Sequence, residues 1–356
     1  MTDTPKKLGY RLPAEWETHF AVWLAWPHDT ISFGSLNEPS GIANKERLFK
    51  VEQKFAETIA AIAVSENVEL LVLDEPMKTQ AEALLTKLSA DLSKITFHIV
   101  DYADVWVRDY GPLFINGPQT SKPAWIKWTY NAYGEKFKTL IKDNEVFFKL
   151  RGAINQRMFE PETVLESGAI ECNGKGTLIT TEQCLINSNR NPDKNKSDYE
   201  KCFQDYLSIG KIIWLKQGLF NDHTDGHVDE IARFVAADTI VCAYEEDETD
   251  PNFKILEENY QTLAKTTDQD GKPFKLVKLP MPHMVYHDGQ KAPVSYCNFY
   301  IGNTVVLAAT FNDPNDEKAL KIIQSCFPNR KVVPIDCTDI IYGGGAVHCM
   351  TQQQPI

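Results

Sequence analysis

The segment Asn44–Leu73, NKERLFKVEQKFAETIAAIAVSENVELLVL, sets the pattern by which the rest of the chain is read. Leu48, Val51, Phe55, Ile59 and Ile62 recur at three- and four-residue spacing and predict a helix over 44–66 with one apolar face. The run Val68–Leu73 that follows is short and almost wholly apolar, as expected of a buried strand. The same helix-then-strand order returns four times: 77–92 into 95–100, 197–209 into 212–215, 253–264 into 274–279, and 316–326 into 332–335. Ser197 is read as the N-cap of the third helix, with Glu200 three residues on. Between these units lie β-rich stretches at 21–25, 124–130, 177–187, 231–244 and 295–310.

Five such units with interleaved strand pairs predict a repeated ββαβ-like module, five copies around one centre. The spacing is too irregular for a short-period solenoid. Lys122-Pro123 and the polar run 189–196 read as ordinary loops, so a single domain over 1–356 is expected.

The composition is that of a globular protein, with 43% hydrophobic and 24% charged residues. A formal charge of −12 argues against nucleic acid as a partner, because phosphate binding needs a basic surface. It is compatible with a cationic substrate. The stretch Met1–Arg11 is polar and no apolar run reaches the roughly 20 residues of a membrane span, so a cytoplasmic protein without a membrane segment is expected. Eight cysteines are scattered without a CxxC pair or zinc-finger spacing, which predicts reduced thiols and no metal.

The unusual residues fall in loops after the second, third and fifth units: Asp104–Pro112, Asp222–Asp229, and the tail Tyr342–Gln354, YGGGAVHCMTQQQ. Three successive glycines cost more conformational entropy to order than any other tripeptide. They suit backbone that passes close to a substrate, which makes Gly344 a candidate contact and presents Cys349 on a tight turn. If the units surround a centre, Cys349, His227, Asp109 and Asp229 converge there. His227 and Asp229, two apart at what reads as the start of a strand, are expected to share a face.

A cysteine nucleophile reacts as the thiolate, and a neighbouring imidazole can take or give its proton. One carboxylate would suffice to orient that imidazole. Two carboxylates beside a thiol make sense if the substrate is a planar cation with a fork of N–H donors, and a guanidinium is one. Sulfur attack on its central carbon, with acid assistance to the leaving nitrogen, is the chemistry of a deiminase.

The motifs Leu12–Glu17, Trp106–Pro112, Asn187–Pro192, Gly226–Asp229, Ser295–Tyr300 and Gly343–Gln353 resemble, in order and across nearly the whole chain, the agmatine deiminase and Porphyromonas-type peptidyl-arginine deiminase family. The resemblance implies a five-bladed α/β-propeller (pentein) of ββαβ modules with pseudo-fivefold symmetry. It implies Cys349 as the nucleophile of a thiouronium intermediate, His227 as general acid/base, and Asp109 and Asp229 as the guanidinium clamp. Trp106 would line the channel, and Asn298 matches a position associated with the active site. No metal or organic cofactor is expected, and a homodimer is a family expectation. The favoured substrate is agmatine; peptidyl-arginine or free arginine, and amidino transfer to an amine, are the alternatives.

The chain departs from the family at two places. Glu166-Ser167-Gly168-Ala169 stands where an acidic-Gly-Gly segment is common, with Glu166 read as a loop brace or a substrate contact. His223 stands where agmatine enzymes tend to carry an acid for the distal amine, and Asp222 or Asp225 is read as a possible substitute. His348 and Arg108 are expected to point away from the site, Trp23 and Trp26 to be core, and His283 and His287 to be solvated.

Overall fold

The computed structural model describes residues 3–29, 33, 42–118, 122–286 and 289–356, the side chains of 42–44 excepted; His287 lies outside these. Five long helices stand where the apolar periodicity places them: α1 (Ile42–Ile62), α2 (Glu75–Lys87), α3 (Lys196–Leu207), α4 (Phe253–Lys265) and α5 (Asp316–Cys326). Asp74 caps α2, accepting from the Met77 amide at 2.9 Å, and Pro76 occupies its first turn, where a missing N–H costs nothing. The cap of α3 is Asn195 in a reciprocal capping box with Asp198, two residues before the expected Ser197.

Among the described residues the strands form five separate sheets, none closed on itself. Four share one plan, an antiparallel pair followed by a helical crossover to a parallel third strand. They comprise 113–115, 124–126 and 158–159; 170–172, 177–181 and 211–215; 232–236, 239–244 and 275–280; and 300–301, 305–310 and 331–336. The remaining sheet runs in the order 352–355, 19–25, 67–72, 95–99. Its antiparallel member is the C-terminal strand, paired with His19–Ala25, so both ends of the chain are built into one sheet. Helix α1 also packs on the strands at 305–310 and 331–336, which ties the first unit to the last.

The fold is mixed α/β, and two expectations need correction. The first two helix–strand units belong to a single sheet, because 67–72 and 95–99 are neighbouring parallel strands. The fifth sheet comes instead from 113–159, whose crossover is three short helical pieces without a sustained apolar period. The stretch 177–187 is a strand only to Thr181; Glu182–Leu185 turns into a helix capped by the Thr181 side chain. Central strands such as 177–181 are buried along their whole length, as parallel strands covered on both faces should be. Trp23 and Trp26 are buried, as expected of core residues, and His283 is half-exposed beside Glu245 and Asp313.

Candidate active site

Loops between the sheets carry the polar residues inward. The segment after the first sheet makes one helical turn, Val107–Tyr110, all of it buried. Adjacent side chains on that turn diverge. Arg108 donates to Gln353 Oε1 (2.7 Å) and the His348 carbonyl (3.2 Å) and lies 3.9 Å from Glu15. Asp109 faces the other way, accepting from the Tyr133 hydroxyl at 2.8 Å and the Gly168 amide at 3.1 Å.

The second loop is folded by Asp222, whose carboxylate accepts from the Thr224 amide and hydroxyl and from the amides of Gly226 and His227 at 2.7–3.1 Å. Gly226, at φ +89°, reverses the chain into a 3-10 turn, Val228–Glu230. His227 and Asp229 therefore do not sit on a strand, as their spacing suggested. The tight turn brings them to one pocket all the same.

Gly168 shows this convergence. A Cβ there would stand 2.7 Å from His227 Nδ1, 2.8 Å from Asp109 Oδ1 and 3.1 Å from Asp229 Oδ2. One point thus lies at hydrogen-bonding distance from both carboxylates and the imidazole. Glycine is required at 168 because any side chain would fill the pocket.

Cys349 sits in a turn, 7% exposed. Its sulfur accepts from Asn298 Nδ2 at 3.1 Å and stands 3.8 Å from Asp229 Oδ2 and 3.9 Å from Glu230 Oε1. Neighbouring His348 does not point away. Its ring bridges Asp229 Oδ2 (2.7 Å) and Glu15 Oε2 (2.8 Å), and Glu15 in turn pairs with Arg233 (2.7 Å). The reason is that residues 347–350 form a turn rather than a strand, so adjacent side chains do not alternate.

The glycine triplet has a packing role as well. Gly344 takes φ +100°, and a Cβ there would stand 2.5 Å from the His223 ring. Gly343 and Gly345 press on Trp106, which donates its indole N–H to the Gly343 carbonyl at 3.2 Å. Trp106, Phe33, Tyr133, Phe137 and His223 make the surroundings of the pocket aromatic.

Asp222 and Asp225 are not available as substitute acids. Asp222 holds its own loop, and Asp225 pairs with Lys136 and Arg190. Glu166 pairs with Arg190 at 3.1 Å, both fully buried, and stands with Cys184 behind His227. The three donors Glu166, Cys184 and His227 come within 4.8 Å of one another, as do Asp229, Glu230 and Cys349, but a buried ion pair or an amide already engages each group.

Burial shapes the charges. It pushes the Cys349 thiol well above its ordinary range, and Asp229, Glu230 and Asp109 add to the effect. Asp109 is raised to about 6 by burial, reinforced by Asp229 and Glu166 against the opposing pull of His227. Burial by itself would lower His227, but Asp109, Cys184 and Glu166 outweigh it and raise the imidazole well above its usual value. Asp229, although buried, is held below the ordinary range by His348 and then His227. His223, burial lowering it, is neutral near pH 7. Asp229 Oδ1 is buried without a hydrogen-bond partner, a rare condition in a native interior and one usual where a ligand binds.

Sequence reasoning passed over three residues here. Gly168 and Tyr133 carry no signal a single sequence reveals. Glu230 did: Asp229-Glu230 is a pair of acids between the apolar residues Val228 and Ile231.

Agmatine deiminase of Enterococcus faecalis superposes with a TM-score of 0.88 at 30% identity, covering 100% of this chain and 98% of that one. A substrate-bound Cys-to-Ser variant of C. jejuni agmatine deiminase gives 0.83 at 26%, with 97% and 96% covered. A Legionella pneumophila protein provisionally named an agmatine deiminase is 34% identical over 100% of this chain and 97% of its own length. The chain belongs to the Porphyromonas-type peptidyl-arginine deiminase family, whose model matches residues 11–355.

Proposed function

We propose that this protein hydrolyses agmatine to N-carbamoylputrescine and ammonia, acting on the C–N bond of a linear amidine as a single domain built as a five-bladed α/β-propeller. The observation that carries the chemistry is the point beside Gly168, within 2.7–3.1 Å of Asp109, Asp229 and His227, with the Cys349 sulfur 3.8 Å from the same Asp229 oxygen. A guanidinium N–H placed there has acceptors on either side, and its cation offsets the negative charge of the two buried carboxylates.

Substrate charge also activates the nucleophile. Burial and neighbouring carboxylates hold the Cys349 thiol neutral at rest. A bound guanidinium offsets those carboxylates, so the thiol releases its proton to solvent on substrate binding. The thiolate forms a C–S bond to the guanidinium carbon. Protonated His227 gives its proton to the nitrogen that departs as ammonia, leaving a thiouronium. Neutral His227 then takes a proton from water, whose oxygen adds to the same carbon. The C–S bond breaks, the hydroxyl proton of the tetrahedral adduct passes to the departing sulfur as the ureido C=O forms, and the neutral thiol and the imidazolium are restored. His348, tied to Glu15, keeps Asp229 charged through the cycle.

Agmatine is favoured over arginine by the surroundings. Lys136 and Arg47, beside the loops that frame the pocket, are paired with Asp225 and Asp339, so neither is set to receive a substrate carboxylate. Aromatic faces and a neutral His223 accept the distal ammonium of agmatine through cation–π contact. Ammonia release is to be measured with agmatine, free arginine and arginine peptides. Turnover of agmatine alone is expected; turnover of a peptide with agmatine inert would overturn the substrate while leaving the chemistry. Cys349→Ser should lower kcat by about a thousandfold or more.

A further inference from the structure

One carboxyl group at the nucleophile has no part in these steps. Glu230 closes the 3-10 turn after Asp229 and is buried. Its Oε1 accepts from Asn298 Nδ2 at 2.7 Å and lies 3.9 Å from Cys349 Sγ, and its Oε2 has no partner. The Asn298 amide nitrogen thus stands among three acceptors: Glu230 Oε1 (2.7 Å), Cys349 Sγ (3.1 Å) and Asp229 Oδ2 (3.5 Å). An amide carries two hydrogens, so it can serve two of the three. The two short contacts are Glu230 and the sulfur. At its other end Asn298 Oδ1 accepts from the backbone amides of His348 (2.9 Å) and Cys349 (3.3 Å).

We propose that Glu230 is a positioning residue for the nucleophile: by taking one N–H of Asn298 it fixes the amide so that the other N–H points at the Cys349 sulfur. The inference rests on Cys349 being the nucleophile, as argued above. Without Glu230 the amide is free to turn its second hydrogen toward Asp229, and the sulfur loses its donor.

Glu230 does this as a neutral acid. Burial, then Asp229 and Asp222, hold its carboxyl well above the ordinary range. His227 and Arg233 act in the opposite sense, but Arg233 is bound to Glu15 and Glu171. The other titratable neighbours, Cys297, Cys337 and Cys349, bring no cation. A neutral Glu230 orders the amide without placing another negative charge against the developing thiolate.

The test is the pH dependence of Cys349 alkylation by iodoacetamide in the full chain, followed on the Cys349 peptide by mass spectrometry, with kcat and KM for agmatine measured beside it. Glu230→Gln, which keeps the acceptor and is neutral, should retain the wild-type alkylation midpoint and keep kcat within about threefold. Glu230→Ala should move the midpoint upward and lower kcat about tenfold or more, with KM within about twofold. Downward shifts in both variants would show an ionised Glu230 that repels the thiolate and would overturn the proposal. So would a Glu230→Ala midpoint equal to wild type in protein shown by circular dichroism to be folded. Alkylation needs no substrate, so this outcome is readable even if agmatine is not turned over.

Discussion

Asp109 is held in a place that suits its ligand better than it suits the free protein. Its folded pKa, about 6, lies above the ordinary aspartate value near 3.8. For an acid raised in this way the stability contribution is full below pH 4 and is lost as pH rises through 6. At pH 8 the ionised, buried carboxylate therefore opposes folding until a cation arrives. Asp109→Asn should raise stability at pH 8 by on the order of 1–3 kcal/mol, with the difference vanishing near pH 4, while kcat/KM collapses; thermal melts at the two pH values check the sign. Gly168→Ala is the steric counterpart. Its methyl would occupy the point shared by Asp109, Asp229 and His227, so kcat/KM should fall by about a hundredfold or more, some 3 kcal/mol, with a near-wild-type far-ultraviolet spectrum. The residues proposed to do the chemistry stood out in the sequence because of their side chains: a cysteine, a histidine and two aspartates in loops that the structure brings together. Gly168 was not, since its contribution is the absence of a side chain at a point three loops define. Asp222 and Asp225, read as possible substitutes for a distal acid, are engaged within the loops for a related reason. An aspartate in a tight loop is as useful to backbone amides as to a ligand, and Asp222 accepts from three such amides and from the Thr224 hydroxyl within its own loop.

The C-terminal strand, Gln352–Pro355, explains the three glutamines that end the tail motif. Gln352 donates to the Pro112 carbonyl at 3.0 Å, Gln353 accepts from Arg108 at 2.7 Å, and Gln354 accepts from the Trp23 indole at 2.9 Å. The strand thereby anchors the Cys349 turn to both the first sheet and the Asp109 loop. Gln353→Ala leaves a buried guanidinium N–H without an acceptor and should cost about 1–3 kcal/mol in urea titrations, with kcat falling as the turn loosens. Helices were the readable elements: α5 falls on its expected bounds and α4 within one residue. Strands at 113–115, 124–126 and 158–159 were not recognised as a unit, because two- and three-residue strands joined by broken helical turns carry neither period. The described residues form five sheets, but two of the five expected units share one of them.

Across the molecule the buried carboxylates Glu15, Glu171 and Glu166 are paired with Arg108, Arg233 and Arg190, whereas among the described residues Asp109 has only His227 beside it. The missing cation is the substrate's. Ligand binding should therefore stabilise the protein, and more strongly where Asp109 is ionised. In the Cys349→Ser variant, saturating agmatine should raise the melting temperature more at pH 7.5 than at pH 5; equal shifts would argue against a clamp that includes Asp109. The net charge of −12 acts in the same direction at long range by drawing cations to the surface. Because the site is assembled from loops of separate sheets, no single segment contains it, and it was read from three distant loops together with the sequence-wide order of motifs. The central claim is that a clamped guanidinium is attacked by Cys349. It is tested most directly by mass spectrometry of the enzyme acid-quenched during agmatine turnover. The account predicts an adduct with the mass of agmatine less ammonia on the peptide that contains Cys349. Steady ammonia release with that peptide unmodified, or with the adduct on another residue, would contradict it.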